Sequence, residues 1–177
     1  GTYAIGADTA TGKGADYSSA TVVDLSDMSI CAHIHGKIYA DLYAEQLQYV
    51  GRWYNTALIA IESAGGYGEA PTIFLRDGKN HRPPYPKLYR HRQFSRSDMQ
   101  EHKPYGFPMN TKTRPLVLSY LERALREHLI PELPRQHHHE CQTFIHAETN
   151  PSPRAQEGCN DDRVFSLALA LEMFRQY

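Results

Sequence analysis

The chain has little cysteine to build with. Cys31, Cys141 and Cys159 are an odd number with no CxxC pair among them, so neither a disulfide scaffold nor a zinc ribbon is supported. No stretch approaches the roughly 18 apolar residues that a membrane-spanning helix needs. Charge of one sign is also missing. The 19 Lys and Arg against 20 Asp and Glu leave a net charge of −1, which excludes a uniformly basic nucleic-acid coat and leaves room for local basic stripes. Glycine and proline, at 12 and 11 residues, are close to average usage and exclude a collagen-like or low-complexity chain. No internal repeat is visible. Gly1-Thr2-Tyr3 leads directly into a strand-like pattern, so no signal peptide is expected. What is present, 177 residues of which 41% are apolar, is enough for one soluble, intracellular, globular domain with a real core, residues 1–177 as a single unit.

Periodicity orders the chain. Tyr3–Asp8 reads as a short buried strand, Thr9–Asp16 as a turn-rich stretch, and Ser18–Leu25 and Ser29–Gly36 as two more strands, together an antiparallel meander. Leu42, Tyr43, Leu47, Val50 and Tyr54 recur at helical spacing within Tyr39–Tyr54, with Asn55 as the stop. Ala57–Glu62 is the clearest buried strand, Ser63–Gly68 a loop, and Glu69–Leu75 a short helix that tolerates Pro71 in its first turn. A second long helix is expected from Thr113 to about Pro131, with Leu118, Leu121, Leu125 and Leu129 as its stripe. Glu140–Ala147 reads as strand, Asn150–Asn160 as loop, and Asp161–Tyr177 as a helix apolar on most sides, hence buried. The order predicts an α/β fold, a mixed sheet with helices on both faces.

Three carboxylate positions stand out because each closes or opens a buried element. Asp8 ends the first strand, Glu62 ends the central strand, and Asp161-Asp162 open the last helix. If the first and fourth strands are neighbours, Asp8 and Glu62 lie side by side, and the helix N-terminus can bring Asp161 or Asp162 to them. A single aspartate after a strand is ordinarily a turn former, and Asp161 alone would read as a helix cap. Glu62 is different, because five apolar residues lead into it and a buried glutamate needs a partner. Clustered carboxylates repel unless a cation neutralises them, and hard oxygen ligands choose Mg²⁺ or Mn²⁺. Two such ions about 4 Å apart activate a water and stabilise the leaving oxygen of a phosphodiester.

Residues 76–112 form a basic insertion. Arg76–Arg96 alone holds seven Lys or Arg with Tyr85, Tyr89 and Phe94 between them. Lys87, Arg90, Arg92 and Arg96 suit neutralising a DNA backbone, the alternation over Lys87–Phe94 suits one strand of a hairpin, and Lys112 and Arg114 are weaker candidates for the same contact. The bland reading is a solvated edge strand guarded by charge. Asp16 is either one more acid for the metal or a turn residue beside Gly14. His137-His138-His139 with Cys141 has no second ligand pair at zinc spacing, so these histidines are expected on the surface, and the cysteines are expected to be inert.

The stretches YAIGADTATGKGADYSSATVVD (Tyr3–Asp24), YNTALIAIESAGGYG (Tyr54–Gly68), YGFPMNTKTRPLVLSYLERAL (Tyr105–Leu125) and AQEGCNDDRVFSLALAL (Ala155–Leu171) together resemble the C-terminal nuclease domain of the large terminase subunit of tailed double-stranded DNA phages, a member of the ribonuclease H-like superfamily. The resemblance implies a two-metal-ion endonuclease that cuts concatemeric viral DNA during genome packaging in the cytoplasm of the infected bacterium. The family's first two acids fall on Asp8 and Glu62 and its third in the Asp161-Asp162 pair, the catalytic and metal-binding set. Members usually read His-Asp-Asp where this chain has Asn160-Asp161-Asp162. Asn160 can hydrogen-bond a ligand but cannot act as a general base. Double-stranded DNA, portal and small terminase subunit are partners by resemblance only. These residues contain no GxxxxGK[ST] phosphate loop, so an ATPase motor is expected upstream of Gly1 in the same protein. Competing readings are a sugar-kinase or actin-like ATPase, in which Asp8-Thr9-Ala10-Thr11-Gly12 would bind phosphate, a resolvase or transposase core, and a non-catalytic DNA-binding or docking module.

Overall fold

The computed structural model describes residues 1–10, 17–79, 81–95, 99–147 and 150–177. The readings placed on Thr11, Gly12, Gly14, Asp16 and Arg96 lie outside them.

Three apolar, β-branched segments form the expected meander: β1 (Tyr3–Asp8), β2 (Ser18–Asp24) and β3 (Ile30–Gly36), antiparallel throughout, with Asp8 opposite Ser19 and Ser18 opposite Gly36. The chain then crosses through α1 (Ala40–Trp53) to β4 (Leu58–Ile61), which lies parallel to β1 and completes a sheet of order β3-β2-β1-β4. A 3-10 turn (Ala64–Gly66) leads into α2 (Glu69–Asp77), followed by a hairpin of β5 (Gln93–Ser95) and β6 (Gln100–His102). Next come α3 (Thr113–Arg126), α4 (Arg135–Thr143), a second hairpin of β7 (Phe144–Ala147) and β8 (Asn150–Ala155), and the closing helix α5 (Asp162–Gln176).

Strand side chains alternate between faces, and here the alternation sorts the core into two layers. Ile5, Ala7, Ala20, Val22, Ile59 and Ile61 pack under α1 and α2 with Tyr43, Leu47, Phe74 and Leu75. Ala4, Val23 and Ala60 face α5 and α3. Helix α5 is buried along its whole middle, Val164 to Met173, because it lies against the sheet on one side and α3 on the other. Its closest approach is at Gly6, where a Cβ would meet Ser166 O at 2.2 Å and Ala170 N at 2.4 Å. Only glycine lets the helix sit that low on β1.

The structure corrects several expectations. Glu140–Thr143 is helical, the end of α4, and only Phe144–Ala147 is strand. Asn150–Ala155, expected as loop, is β8. His137 is not on the surface but fully buried, because one turn of α4 turns it inward toward Thr21. The stripe of α3 is Val117, Leu121 and Ala124, with Leu118 and Leu125 only partly buried. The helix ends at Arg126, which leaves Leu129 beyond it. Leu42, counted into the buried stripe of α1, faces outward with Tyr39, Tyr49 and Trp53.

Lys87–Phe94 is not a single hairpin strand. Ile59 N donates to Lys87 O at 2.9 Å and Tyr89 N to Ile59 O at 2.8 Å, so the start of this segment runs parallel to β4. Phe107 N then donates to Ile61 O at 2.8 Å and Ser63 N to Phe107 O at 2.9 Å. Two segments of the insertion, Lys87–Tyr89 and Phe107, thus cover the outer edge of β4, and the β5–β6 hairpin between them is the part that leaves the sheet.

Candidate active site

The period of two that sorts the core also aims the acids. Gly6 and Asp8 on β1, and Ala60 and Glu62 on and just after β4, point to the α5 side. The last paired residues are Ala7 and Ile61, and Glu62 N donates to Ala7 O at 2.9 Å, so Asp8 and Glu62 leave adjacent strand ends together. Tyr43, fully buried in α1, fixes the end of β1 from the opposite face. Its hydroxyl donates to Ser19 O at 2.6 Å and lies 3.2 Å from Asp8 O.

Because α5 lies against Gly6, its first turn reaches the same end of the sheet. Asp8, Glu62, Asp161 and Asp162 line one cavity of about 510 Å³ together with Thr9, Tyr17, Met109, Arg114 and Phe165. Burial raises the pKa of Asp8 well above the ordinary carboxylate range, and the charge of Glu62, a hydrogen bond to it, and the charges of Asp162 and Asp161 raise it further. Burial also raises Glu62, opposed by the hydrogen bond from Asp8 and by the Arg114 charge. Asp161 is raised by burial too, against the pull of the Ala155 N–H and Arg114. Carboxyl groups this close relieve their repulsion by sharing a proton or by taking a cation.

Residues around the acids set their directions. Asp161 Oδ2 accepts from Ala155 N at 3.1 Å, at the end of β8. His35 Nε2, on β3, stands 3.7 Å from Asp162 Oδ2, with its ring stacked on Tyr17 at 4.6 Å. Burial and the nearby Arg163 and His33 charges pull its pKa down to about 4, so the ring is neutral at pH 7. Arg114 lies in the cavity wall. Its guanidinium carbon sits 4.5 Å over the Phe165 ring and Nη2 donates to Pro153 O at 2.9 Å.

The proposed site residues thus separate. Asp8, Glu62, Asp161 and Asp162 come together, and Arg114 joins them from the start of α3 instead of standing with the other basic residues. Lys87, Arg90, Arg92 and Lys112 are exposed outside that cavity. Arg90 packs over Tyr105 at 4.9 Å with Nε donating to Lys103 O at 2.9 Å, and Arg92 Nε lies 3.8 Å from Glu101. The sequence reading missed His35 and Tyr43. A histidine in the alternating run of β3 and a tyrosine inside a helix stripe carry no local signal of what they face.

An all-oxygen set of Asp and Glu suits a hard divalent cation. Among the described residues no three His, Cys, Asp or Glu side chains converge at coordinating distance. Asp8 and Glu62 are closed on each other by their hydrogen bond instead. The donor chemistry and the raised pKa values fit a cation that would take the place of the shared proton.

No family model and no curated protein matches the chain. Solved structures do match it. The large terminase nuclease from thermophilic phage G20c with bound magnesium aligns over 99% of this chain and 82% of its own, at 21% identity and a TM-score of 0.71. The nuclease domain of the Thermus phage P74-26 large terminase aligns over 96% and 77%, at 20% identity and a TM-score of 0.65. The chain has the fold of a phage large terminase nuclease domain. That fold is ribonuclease H-like, a mixed sheet between helices, as the resemblance implied. The G20c nuclease is also known with bound cobalt and with bound zinc.

Proposed function

We propose that this chain is a divalent-metal-dependent endonuclease that cuts concatemeric double-stranded phage DNA during genome packaging. The observation that carries the reading is the meeting of Asp8, Glu62, Asp161 and Asp162 in one cavity at the end of two parallel strands. The terminase-nuclease fold supports it. Asp8, Glu62 and one or both of Asp161 and Asp162 would hold the metal. When bound, two Mg²⁺ or Mn²⁺ ions would polarise the phosphodiester, activate water and neutralise the leaving oxygen.

The chain's own groups prepare that chemistry. Tyr43 and the β1–β4 pairing hold Asp8 and Glu62 on rigid strand ends. Stacking on Phe165 and the bond to Pro153 O keep Arg114 in the cavity wall, facing where the phosphate's charge would stand. Asn160, which precedes the Asp pair, offers a hydrogen bond and no base. Lys87, Arg90, Arg92, Arg96 and Lys112 would track the DNA backbone, giving a salt-dependent, sequence-independent contact. In this reading the domain works beside an ATPase domain of the same protein, with portal and small terminase subunit, in the cytoplasm of the infected host.

The test is cleavage of supercoiled plasmid with Mn²⁺, Mg²⁺ or EDTA, with Asp8→Ala alongside. Losing several kcal/mol of transition-state charge stabilisation is expected to cost about a thousandfold or more in rate. Metal-independent cutting, or an Asp8→Ala variant as active as the parent, would overturn the reading. A preference for branched or terminal-repeat DNA would move the assignment to a resolvase or transposase core.

A further inference from the structure

The first turn of α5 has N–H groups that the helix itself cannot satisfy and an aspartate, Asp161, at the position that normally caps them. Asp161 makes no such bond. Its Oδ2 instead accepts from Ala155 N. The cap comes from another element. Glu140, in α4 and only 3% exposed, accepts the Arg163 backbone N–H on Oε2 at 2.7 Å and the Arg163 Nη1 on Oε1. One carboxylate therefore holds both the main chain and the side chain of the residue that follows the Asp161-Asp162 pair. The same carboxylate reaches toward β3, with Oε1 4.0 Å from His35 Nε2, and that nitrogen is in turn 3.7 Å from Asp162.

We propose that Glu140 is a positioning residue: it caps α5 from outside the helix, fixes where the first turn stands over the end of β1, and so frees Asp161 to face the cavity. The role toward the metal rests on the proposed nuclease reading. The capping role does not.

A pure ion pair between Glu140 and Arg163 would hold α4 to α5 without setting the acids. The difference is measurable on the full chain with Glu140→Ala, Glu140→Gln and Glu140→Asp. Glutamine keeps an acceptor at the same reach, whereas aspartate keeps the charge but is one methylene short. Amide hydrogen exchange is read at Arg163 and the rest of the first turn of α5, relative to β1 and β2, and Mn²⁺ binding is followed calorimetrically. We expect Glu140→Ala to speed exchange at that turn selectively and to weaken Mn²⁺ binding about tenfold or more, the usual cost of losing a residue that orients ligands. Glu140→Gln is expected to restore most of both, and Glu140→Asp to resemble alanine. Parent-like exchange and Mn²⁺ affinity in Glu140→Ala, or full recovery by Glu140→Asp, would overturn the proposal. If alanine does not fold, the ranking of glutamine above aspartate decides it. If the parent binds no Mn²⁺ that Asp8→Ala abolishes, the metal reading falls and the cap is judged on exchange alone.

Discussion

On the α1 side of the sheet, Ile5, Val22, Ile59 and Ile61 meet Tyr43, Leu47 and Leu75 in a layer with few polar atoms. On the α5 side, Ser19 and Thr21 meet Ser166, with Oγ–Oγ distances of 2.9 Å, and Thr21 Oγ1 continues to His137 Nε2 at 3.1 Å. Both layers are equally well covered; Leu47 and Ser166 are each fully buried. The difference lies in what burial accomplishes. The first layer removes apolar area from water, at about 1.5–3 kcal/mol for a large side chain. The second removes apolar area too, through Val117, Leu121, Leu167 and Leu171, but it also surrounds a small set of hydroxyls, imidazoles and carboxylates with partners, and a polar group in such a place costs free energy unless it is satisfied. Both faces hold the sheet together, and the α5 face in addition carries four acids at its end.

The largest expected effects come from disturbing each layer where it is fully buried. Gly6→Val would drive a side chain into the backbone of α5 at Ser166 and Ala170, costing about 3 kcal/mol or more and lifting the helix that carries Asp161 and Asp162. Leu47→Ala would open a cavity in the apolar layer at a cost of about 2–5 kcal/mol. Denaturant unfolding checks both. The contrast sharpens with Mn²⁺ titration of whatever remains folded: Leu47→Ala is expected to bind as the parent does, and Gly6→Val to bind weakly or not at all. Equal losses of metal affinity in the two variants would break the distinction between the layers.

The same distinction explains what could be seen in the sequence. Asp8 and Glu62 were legible because apolar strands lead directly into them, and α5 because its apolar residues run all the way round. The second layer's supports were not. The segment forming α4, Arg135–Thr143, buries only His137 and Glu140, so hydrophobic periodicity has nothing to register, and three consecutive histidines looked like surface. Strand β8 carries Pro151 and Pro153, which argue against a strand in isolation, and pairing with β7 overrides them. Arg114 reads as a DNA-tracking residue because it stands with Lys112 at the start of the long helix. Its place in the acid cavity depends on Phe165 and Pro153, which are distant in the chain. Polar networks are long-range by construction, whereas an apolar stripe repeats locally.

A smaller effect separates the layers by pH. Burial, with the nearby His33 and Arg163 charges, pulls the His137 ring from its ordinary 6.5 down to about 4. Between those values the unfolded chain binds a proton that the folded chain refuses. The neutral ring therefore contributes stability in full above about pH 6.5, and loses it as pH falls through about 4. A shift of this size corresponds to about 3 kcal/mol at most. His137→Gln is expected to flatten the dependence of stability on pH across that window, measured as unfolding midpoints from pH 7 to pH 4. Leu47→Ala, in the apolar layer, is expected to lower the whole curve and leave its slope alone. A slope unchanged by His137→Gln would mean that the imidazole is wetter than its burial implies.

The smallest effect has the opposite sign, because burial disfavours the charged form of both groups, and that form is the protonated one for an imidazole and the deprotonated one for a carboxyl. The pKa of Asp8 is raised by burial first and then by Glu62, Asp162 and Asp161. A raised carboxylate binds protons more readily folded than unfolded, so without metal its contribution to stability declines as pH rises from the unfolded value through the raised one. Asp8→Asn removes that charge while its amide N–H can still donate to Glu62. Without divalent metal the variant is expected to melt above the parent at pH 7–8, and the gain should vanish near pH 4, where both are neutral at this position. Excess Mn²⁺ should reverse the order, since a ligand bound at a hundred times its Kd adds about 2.7 kcal/mol to the protein that binds it and the asparagine variant binds poorly. A crossing of the two melting temperatures between EDTA and Mn²⁺ would locate the cation at the acids. Curves that stay parallel would place any bound ion elsewhere and leave the four carboxylates holding only protons.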